Sequence, residues 1–437
     1  MNRKLGTSER FALLCDQVGS ITFVSIAHLS GSLDEHALRS ALDLLPQRHP
    51  LLRTRIEVIE NEPVLTSENV SEIPFRVEVR RGDDHWLSET EEEINNPLPW
   101  FTGPLVRVVL LKSSDTSELL VTFCHVIGDG ISGVYLMRDL LNLVGQITEG
   151  NTPEIEPFPE RPPLADLLPK TTRGVRGSVK TAILLGKTLL NFARRPKKLP
   201  RDGDPFSEDR RARIIHCILP REKTEALITQ CHEESTTVHG AICAAILKAA
   251  AQQICSALPD TKSITINCLS AVNLRPFFNP PLGDEVGHFI SWAITPHRIS
   301  EDTRFWDLAR NISKAVHASI RKSEPFVFVS LLDKFTPKDV TPDNFAKQAS
   351  NIYSASILVT NLGRFDMPER YGPFTLQKVH FAGANKAFSE YFNIDISTYC
   401  NTLNINFAYT DPTISPTRAA ALAEDIMKTL QSVSHPG

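Results

Sequence analysis

What the chain lacks narrows it early. It has no run of about eighteen uninterrupted apolar residues, so nothing in it reads as a membrane-crossing helix. Its start, "MNRKLGTSERFALLC", has no continuous apolar segment of the kind a secretory leader needs. Eight cysteines (Cys15, Cys124, Cys217, Cys231, Cys243, Cys255, Cys268 and Cys400) are scattered without CxxC spacing, so they read as mostly buried thiols of a soluble cytoplasmic protein. A formal net charge of -4 excludes a global attraction to nucleic acid. HExxH and GxSxG are both missing, and "LGKTLL" has Thr181 where a phosphate-binding loop needs its first glycine. Cys124, His125 and Asp129 are ligand types standing close together, but no metal-site spacing supports them; no metal and no tightly held cofactor are expected.

What is there is a chain of 437 residues, 41% hydrophobic and 22% charged, too long for one core and ordinary for a globular protein. "GSITFVSIAHLSGSL" reads as a strand. "DEHALRSALDLLPQRHP" follows as a helix, with Asp34 or Ser32 at its start and Pro46 with Pro50 at its end. "PLVRVVLL" and "ELLVTFCH" form a hairpin, and "ISGVYLMRDLLNLV" is a helix. A mixed first lobe therefore spans residues 1–150. Residues 151–204 form a linker: six prolines between Asn151 and Pro169 forbid regular structure, and Lys170 to Arg201 holds ten Lys/Arg and no acid around a helical "VKTAILLGKTLLNF". That cationic stretch reads either as a solvated linker helix or as a patch for a membrane surface, a phosphorylated donor or an acidic carrier protein. Residues 205–437 again interleave strands with helices, including "VHGAICAAILKAAAQQI", whose alanines demand close packing. The fold class is α/β, as two α+β lobes.

One stretch carries chemistry. In "ELLVTFCHVIGDGISG", His125 stands where a buried strand ends and the backbone turns toward a helix. A ring there can project into a crevice from a fixed backbone, and neutral imidazole can take a proton from a hydroxyl or amine. A histidine before a turn is also commonly structural, and residue type alone leaves both readings open.

The pattern HxxxDG, met here as "CHVIGDG", resembles the signature of the thioester-dependent acyltransferase superfamily, which includes chloramphenicol acetyltransferase and the condensation domains of peptide synthetases. "LDEHALRSALDLLPQRHPLLRTRI", "GPLVRVVLL", "AVNLRPFF" with "GDEVGHFISW", and "SILVTNLGRF" resemble that superfamily in the same order, from about residue 5 to about residue 410. The late "NLG" is most similar to stand-alone alcohol acetyltransferases and polyketide-associated acyltransferases. The resemblance implies a pseudo-dimer of two chloramphenicol-acetyltransferase-like subdomains with a tunnel between them. It further implies an O-acyltransferase that uses acyl-CoA or an acyl carrier protein as thioester donor and an alcohol as acceptor, without an acyl-enzyme. Amide formation, or a noncatalytic carrier- or lipid-binding module, are the alternatives. Carried over residue by residue, His125 is the base, Asp129 pairs with Arg275, and the Gly130 amide serves the oxyanion. Asn361, Cys124 and His288 are candidate substrate contacts. Two positions depart from the pattern: Cys124 replaces the first of a doubled histidine, and His288 stands where relatives often have asparagine.

Overall fold

The computed structural model of the chain describes residues 1–437 apart from 20, 173, 206, 259–260, 337–340, 343, 346–354, 384–385, 389–390 and 435–437. Among the described residues, two six-stranded sheets dominate. The first runs, in spatial order, Arg370–Tyr371, Phe374–Gly383, Phe23–Ser30, Thr116–Phe123, Val106–Lys112, Phe75–Val79. The second runs Ile290–Ser300, Ser263–Asn273, Ile357–Arg364, Phe392–Tyr399, Thr402–Asp411, Arg211–Leu219. A three-stranded sheet, Asn2–Lys4, Glu62–Thr66 and Arg55–Ile59, flanks the first lobe. The expected hairpin pairs antiparallel, with Val106 opposite Phe123 and Lys112 opposite Ser117.

Strand alternation decides where each core sits. On Phe23–Ser30, the side chains of Phe23, Ala27 and Leu29 enter the first lobe's own core. Val24 and Ile26, on the other face, join Ala212, Ile214 and Ala408 of the second lobe around Trp86. A strand buried on both faces reads as a near-continuous apolar run, which is why "ITFVSIAHL" does. His28 falls on the interlobe face and lies 2.9 Å, Nε2 to Nε2, from His380; Asn406 bridges His380 to His216.

Two boundaries differ from expectation. Pro46 does not end its helix, which runs Glu35–Arg48 under an Asp34 cap that accepts from Ala37 N at 2.7 Å. A proline in the last turn removes a single intrahelical bond, and His49 N still reaches Leu45 O at 3.0 Å. Nor do the lobes separate near residue 205: Phe374–Gly383 leaves the second half and pairs along Phe23–Ser30, Gly383 opposite Phe23 and Thr375 opposite Ser30. Without that crossover, Phe23–Ser30 would be an open edge with unpaired backbone groups.

The linker lacks regular structure over 151–163, then forms the short turn Leu164–Leu167 and the helix Gly174–Ala193. It is pinned by Phe158 N on Arg48 O at 2.9 Å and by an Arg161–Glu285 ion pair at 2.8 Å. The alanine-rich helix Val238–Ser256 is long and apolar enough to cross a membrane, and it is packed in the second lobe's core. A Cβ on Gly240 would stand 2.3 Å from Ser313 Oγ, so the helix Phe305–Arg321 lies as close as the small side chains promised.

Candidate active site

His125 is held by its own turn. Strand Thr116–Phe123 keeps its last pairing through Cys124 N on Leu105 O at 3.0 Å, and Ile127 N closes the turn on Cys124 O at 3.1 Å. The ring donates from Nδ1 to the Gly128 carbonyl at 2.9 Å. That bond fixes the tautomer: the neutral ring carries its proton on Nδ1 and leaves a lone pair on Nε2, the arrangement a base needs. Phe23 packs on the ring at a centroid distance of 4.9 Å. His288 lies 5.5 Å away, edge on, and donates from its own Nδ1 to the His125 carbonyl at 2.7 Å. Burial, followed by the neighbouring His288, lowers the His125 pKa to about 4; Asp129 opposes both. The ring is therefore neutral throughout the physiological range.

Asp129 does not compete for the proton. It caps helix Gly130–Thr148 by accepting from Ser132 N at 2.9 Å, and its two oxygens take Arg275 Nη1 at 3.0 and 2.8 Å. Ser132 Oγ and Phe289 N complete the shell, each at 2.9 Å. Arg275 is held on both of its terminal nitrogens, Nη2 reaching Ser132 Oγ at 2.8 Å and the carbonyls of Glu285 and Gly287 at 3.3 Å, with Phe289 beneath the guanidinium. Burial works against ionisation of Asp129, but Arg275 and the amide donors outweigh it and hold the carboxyl below its ordinary value. The pairing expected between these two residues is present and fully buried, and it ties the turn after His125 to the second lobe. Ser132 and Phe289 were not foreseen. Ser132 had a signal, since it stands one helical turn beyond the cap; Phe289 contributes through its backbone and had none.

His125, Gly130 and His288 line one cavity, together with Phe11, Trp292 and Phe388. Its walls come from both halves of the chain and from the crossover strand, through Phe381 and Gly383. Gly130 heads its helix so tightly against Leu362 that a Cβ would stand 2.9 Å from a leucine methyl. Asp395, which also lines the cavity, accepts from Gly383 N at 2.8 Å and from Asn393 Nδ2 at 3.1 and 3.2 Å. Burial pushes Asp395 up to about 8, leaving it largely a neutral acid at pH 7. The polar residues Asn393 and Asp395, two apart in the otherwise apolar "FNIDI", were the available sequence signal.

Two candidate contacts do not reach the cavity. On strand Ile357–Arg364, alternation sends Leu358 and Thr360 to the cavity and Leu362 against Gly130, whereas Asn361 falls on the opposite parity. Its Oδ1 accepts from Gly363 N at 2.9 Å, a turn-forming role. Cys124 is buried among the first lobe's apolar side chains, 3.7 Å from Asp16 Oδ2, and burial together with Asp16 raises its thiol pKa well above normal. As for metals, Glu78, His85 and Glu89 stand close enough to share an ion, but Arg76 pairs with both glutamates and the Arg81 guanidinium sits against His85. Those arginines already supply the positive charge.

Residues 13–167 match the family model described as Condensation domain. Residues 208–407 match the one described as Phthiocerol/phthiodiolone dimycocerosyl transferase C-terminus. Gramicidin S synthase 2 of Aneurinibacillus migulanus is 33% identical over 138 residues, 31% of this chain. Tyrocidine synthase 2 of Brevibacillus parabrevis is 30% identical over 123 residues, 26% of this chain. The matched part spans only 3% of the length of either relative. Polyketide synthase associated protein 5 from Mycobacterium tuberculosis superposes with a TM-score of 0.71 at 19% identity, over 99% of this chain and 98% of that one. Trichothecene 15-O-acetyltransferase from Fusarium sporotrichioides gives 0.77 at 14% identity, over 99% and 95%. The two family models thus match successive parts of the chain, and the fold is shared end to end with both solved structures, so the chain is condensation-domain-like in sequence and in fold.

Proposed function

We propose that the chain transfers an acyl group directly from a thioester, on coenzyme A or a carrier protein, to an alcohol. The observation that carries this is the His125 ring, tied through Nδ1 to Gly128 O at the wall of the shared cavity, with Nε2 left to accept. Nε2 takes the hydroxyl proton as the alcohol oxygen attacks the thioester carbonyl. The tetrahedral intermediate then collapses, the C–S bond breaks, and the same proton passes to the departing thiolate. In this reading the Gly130 amide, at the positive end of its helix, donates to the developing oxyanion. Holding donor and acceptor in line in one apolar cavity supplies further rate through orientation. No acyl-enzyme is needed, and Cys124 is a free thiol buried in the first lobe's core.

The relatives named as an O-acetyltransferase and as a dimycocerosyl transferase support an ester-forming reading. Similarity to peptide synthetases supports a second one, in which the acceptor is an amine and the product an amide. Both readings share His125. The experiment supplies purified protein with acyl-CoA and a phosphopantetheinyl acyl donor, offers matched alcohols and amines, and follows free thiol. Turnover with alcohols, falling about 10²–10⁴-fold in His125→Ala, is the expected result. Parental rates in a folded His125→Ala variant refute the base, and turnover with amines alone moves the assignment to amide formation.

A further inference from the structure

The helix Gly174–Ala193 in the linker is amphipathic the wrong way round. Val175, Val179, Ile183, Leu189 and Leu190 are each between 55% and 82% exposed, and these five are nearly half of the large hydrophobic side chains exposed among the described residues. At 3.6 residues per turn they fall within an arc of about 120°, a stripe running the length of a helix about 30 Å long. The face turned to the protein is mostly polar, with Leu184 and Leu185 half-buried among its polar groups. Gly177 and Asn191 are buried there, Asn191 Nδ2 donates to Asn267 Oδ1 at 3.0 Å, Lys180 reaches Ser323 Oγ at 3.3 Å, and Lys187 pairs with Glu324 at 2.7 Å. A surface helix of a globular protein ordinarily does the reverse. An apolar stripe left outward is unfavourable in water unless something covers it.

Charge indicates what covers it. Between Lys170 and Arg201 there are ten Lys/Arg and no acid, in a chain whose net charge is -4; Arg173 of this stretch lies outside the described residues. Arg176, Arg194, Arg195 and Lys197 are exposed on and beyond the helix. A partner must therefore offer apolar depth to one straight stripe and negative charge alongside it. A lipid leaflet with anionic headgroups does both. We infer that the helix Gly174–Ala193 seats this protein flat on an anionic membrane surface, its aliphatic stripe below the headgroups and its arginines among them.

The test is co-sedimentation of the full chain with vesicles of phosphatidylcholine alone or mixed equally with phosphatidylglycerol. The expected result is pelleting with the mixed vesicles, weakened by salt, and less with the neutral ones. Ile183→Glu/Leu190→Glu should stay in the supernatant while keeping the parental circular dichroism and thiol-release rate. Arg194→Gln/Arg195→Gln should weaken binding to mixed vesicles by about 5-fold for each charge removed, the factor equivalent to about 1 kcal/mol per basic residue. The inference is overturned if the parent does not pellet with mixed vesicles at low salt, or if the double glutamate variant pellets as the parent does. It is also overturned if vesicles fail while an acidic acyl carrier protein binds the parent and not that variant.

Discussion

Asp129→Asn should destabilise the protein more than any exposed substitution, and the geometry indicates by how much. The carboxylate receives Ser132 N, Ser132 Oγ, Phe289 N and both contacts of Arg275 Nη1. An amide keeps one acceptor oxygen and turns an N–H₂ toward groups that are all donors in the native shell. It also leaves the Arg275 charge buried without its counterion. Removing one member of a buried pair costs about 3–5 kcal/mol. The loss should appear as an earlier midpoint in urea unfolding followed by tryptophan fluorescence, and turnover should fall with it because the turn that aims His125 is loosened. Arg275→Met should behave similarly. The double variant Asp129→Asn/Arg275→Met should be destabilised by less than the sum of the two, by roughly 0.5–3 kcal/mol, since it strands no charge. Because the folded carboxyl is held below its ordinary value of 3.8, its stabilisation is complete above that pH and is lost as pH falls through the folded value. Parent and Asp129→Asn should therefore converge in strong acid. Unmoved midpoints in the single variants, or strict additivity in the double, would refute the clamp.

Three further outcomes follow from the site. With His125 lowered to about 4, kcat/KM should stay level as pH falls to about 5 and be half lost near 4; an acid limb near the ordinary imidazole value of 6.5 would show that burial does not keep this ring neutral. Iodoacetamide should leave Cys124 unmodified in the native protein and activity intact, as mass mapping can check, because burial keeps the thiol protonated. Asp395 has the opposite sign to Asp129: its folded pKa is raised to about 8, so the stability it confers is complete below 3.8 and is lost as pH rises through about 8. Asp395→Asn should thus gain on the parent as pH is raised from about 4 to about 9 in paired denaturation curves, and a gap that does not widen would contradict the buried neutral acid.

The reach of the sequence varied with the range of the interaction involved. Local signals held: Asp34 caps its helix, the hairpin around "KSSDTS" pairs in register, and the alanines of Val238–Ser256 pack closely. HxxxDG named His125 and Asp129 because strand, turn and cap lie within a few residues of one another. Arg275 was reachable only through resemblance to a family, since 146 residues separate it from Asp129. Asn361 went astray because which strand face meets a cavity depends on partners that a short stretch does not contain.

What the sequence by itself determined is thus the material of the site: an imidazole at a strand end, a carboxylate in the turn that follows, and apolar strands enough for two cores. Only the tertiary structure decided that Phe374–Gly383 crosses to close the first sheet, that Asp395 and His125 line one cavity, and that the linker helix turns its aliphatic stripe outward. The physical reason is that burial, and with it every shifted pKa and every exposed patch, belongs to surfaces brought together from distant parts of the chain, and periodicity records only that a face exists.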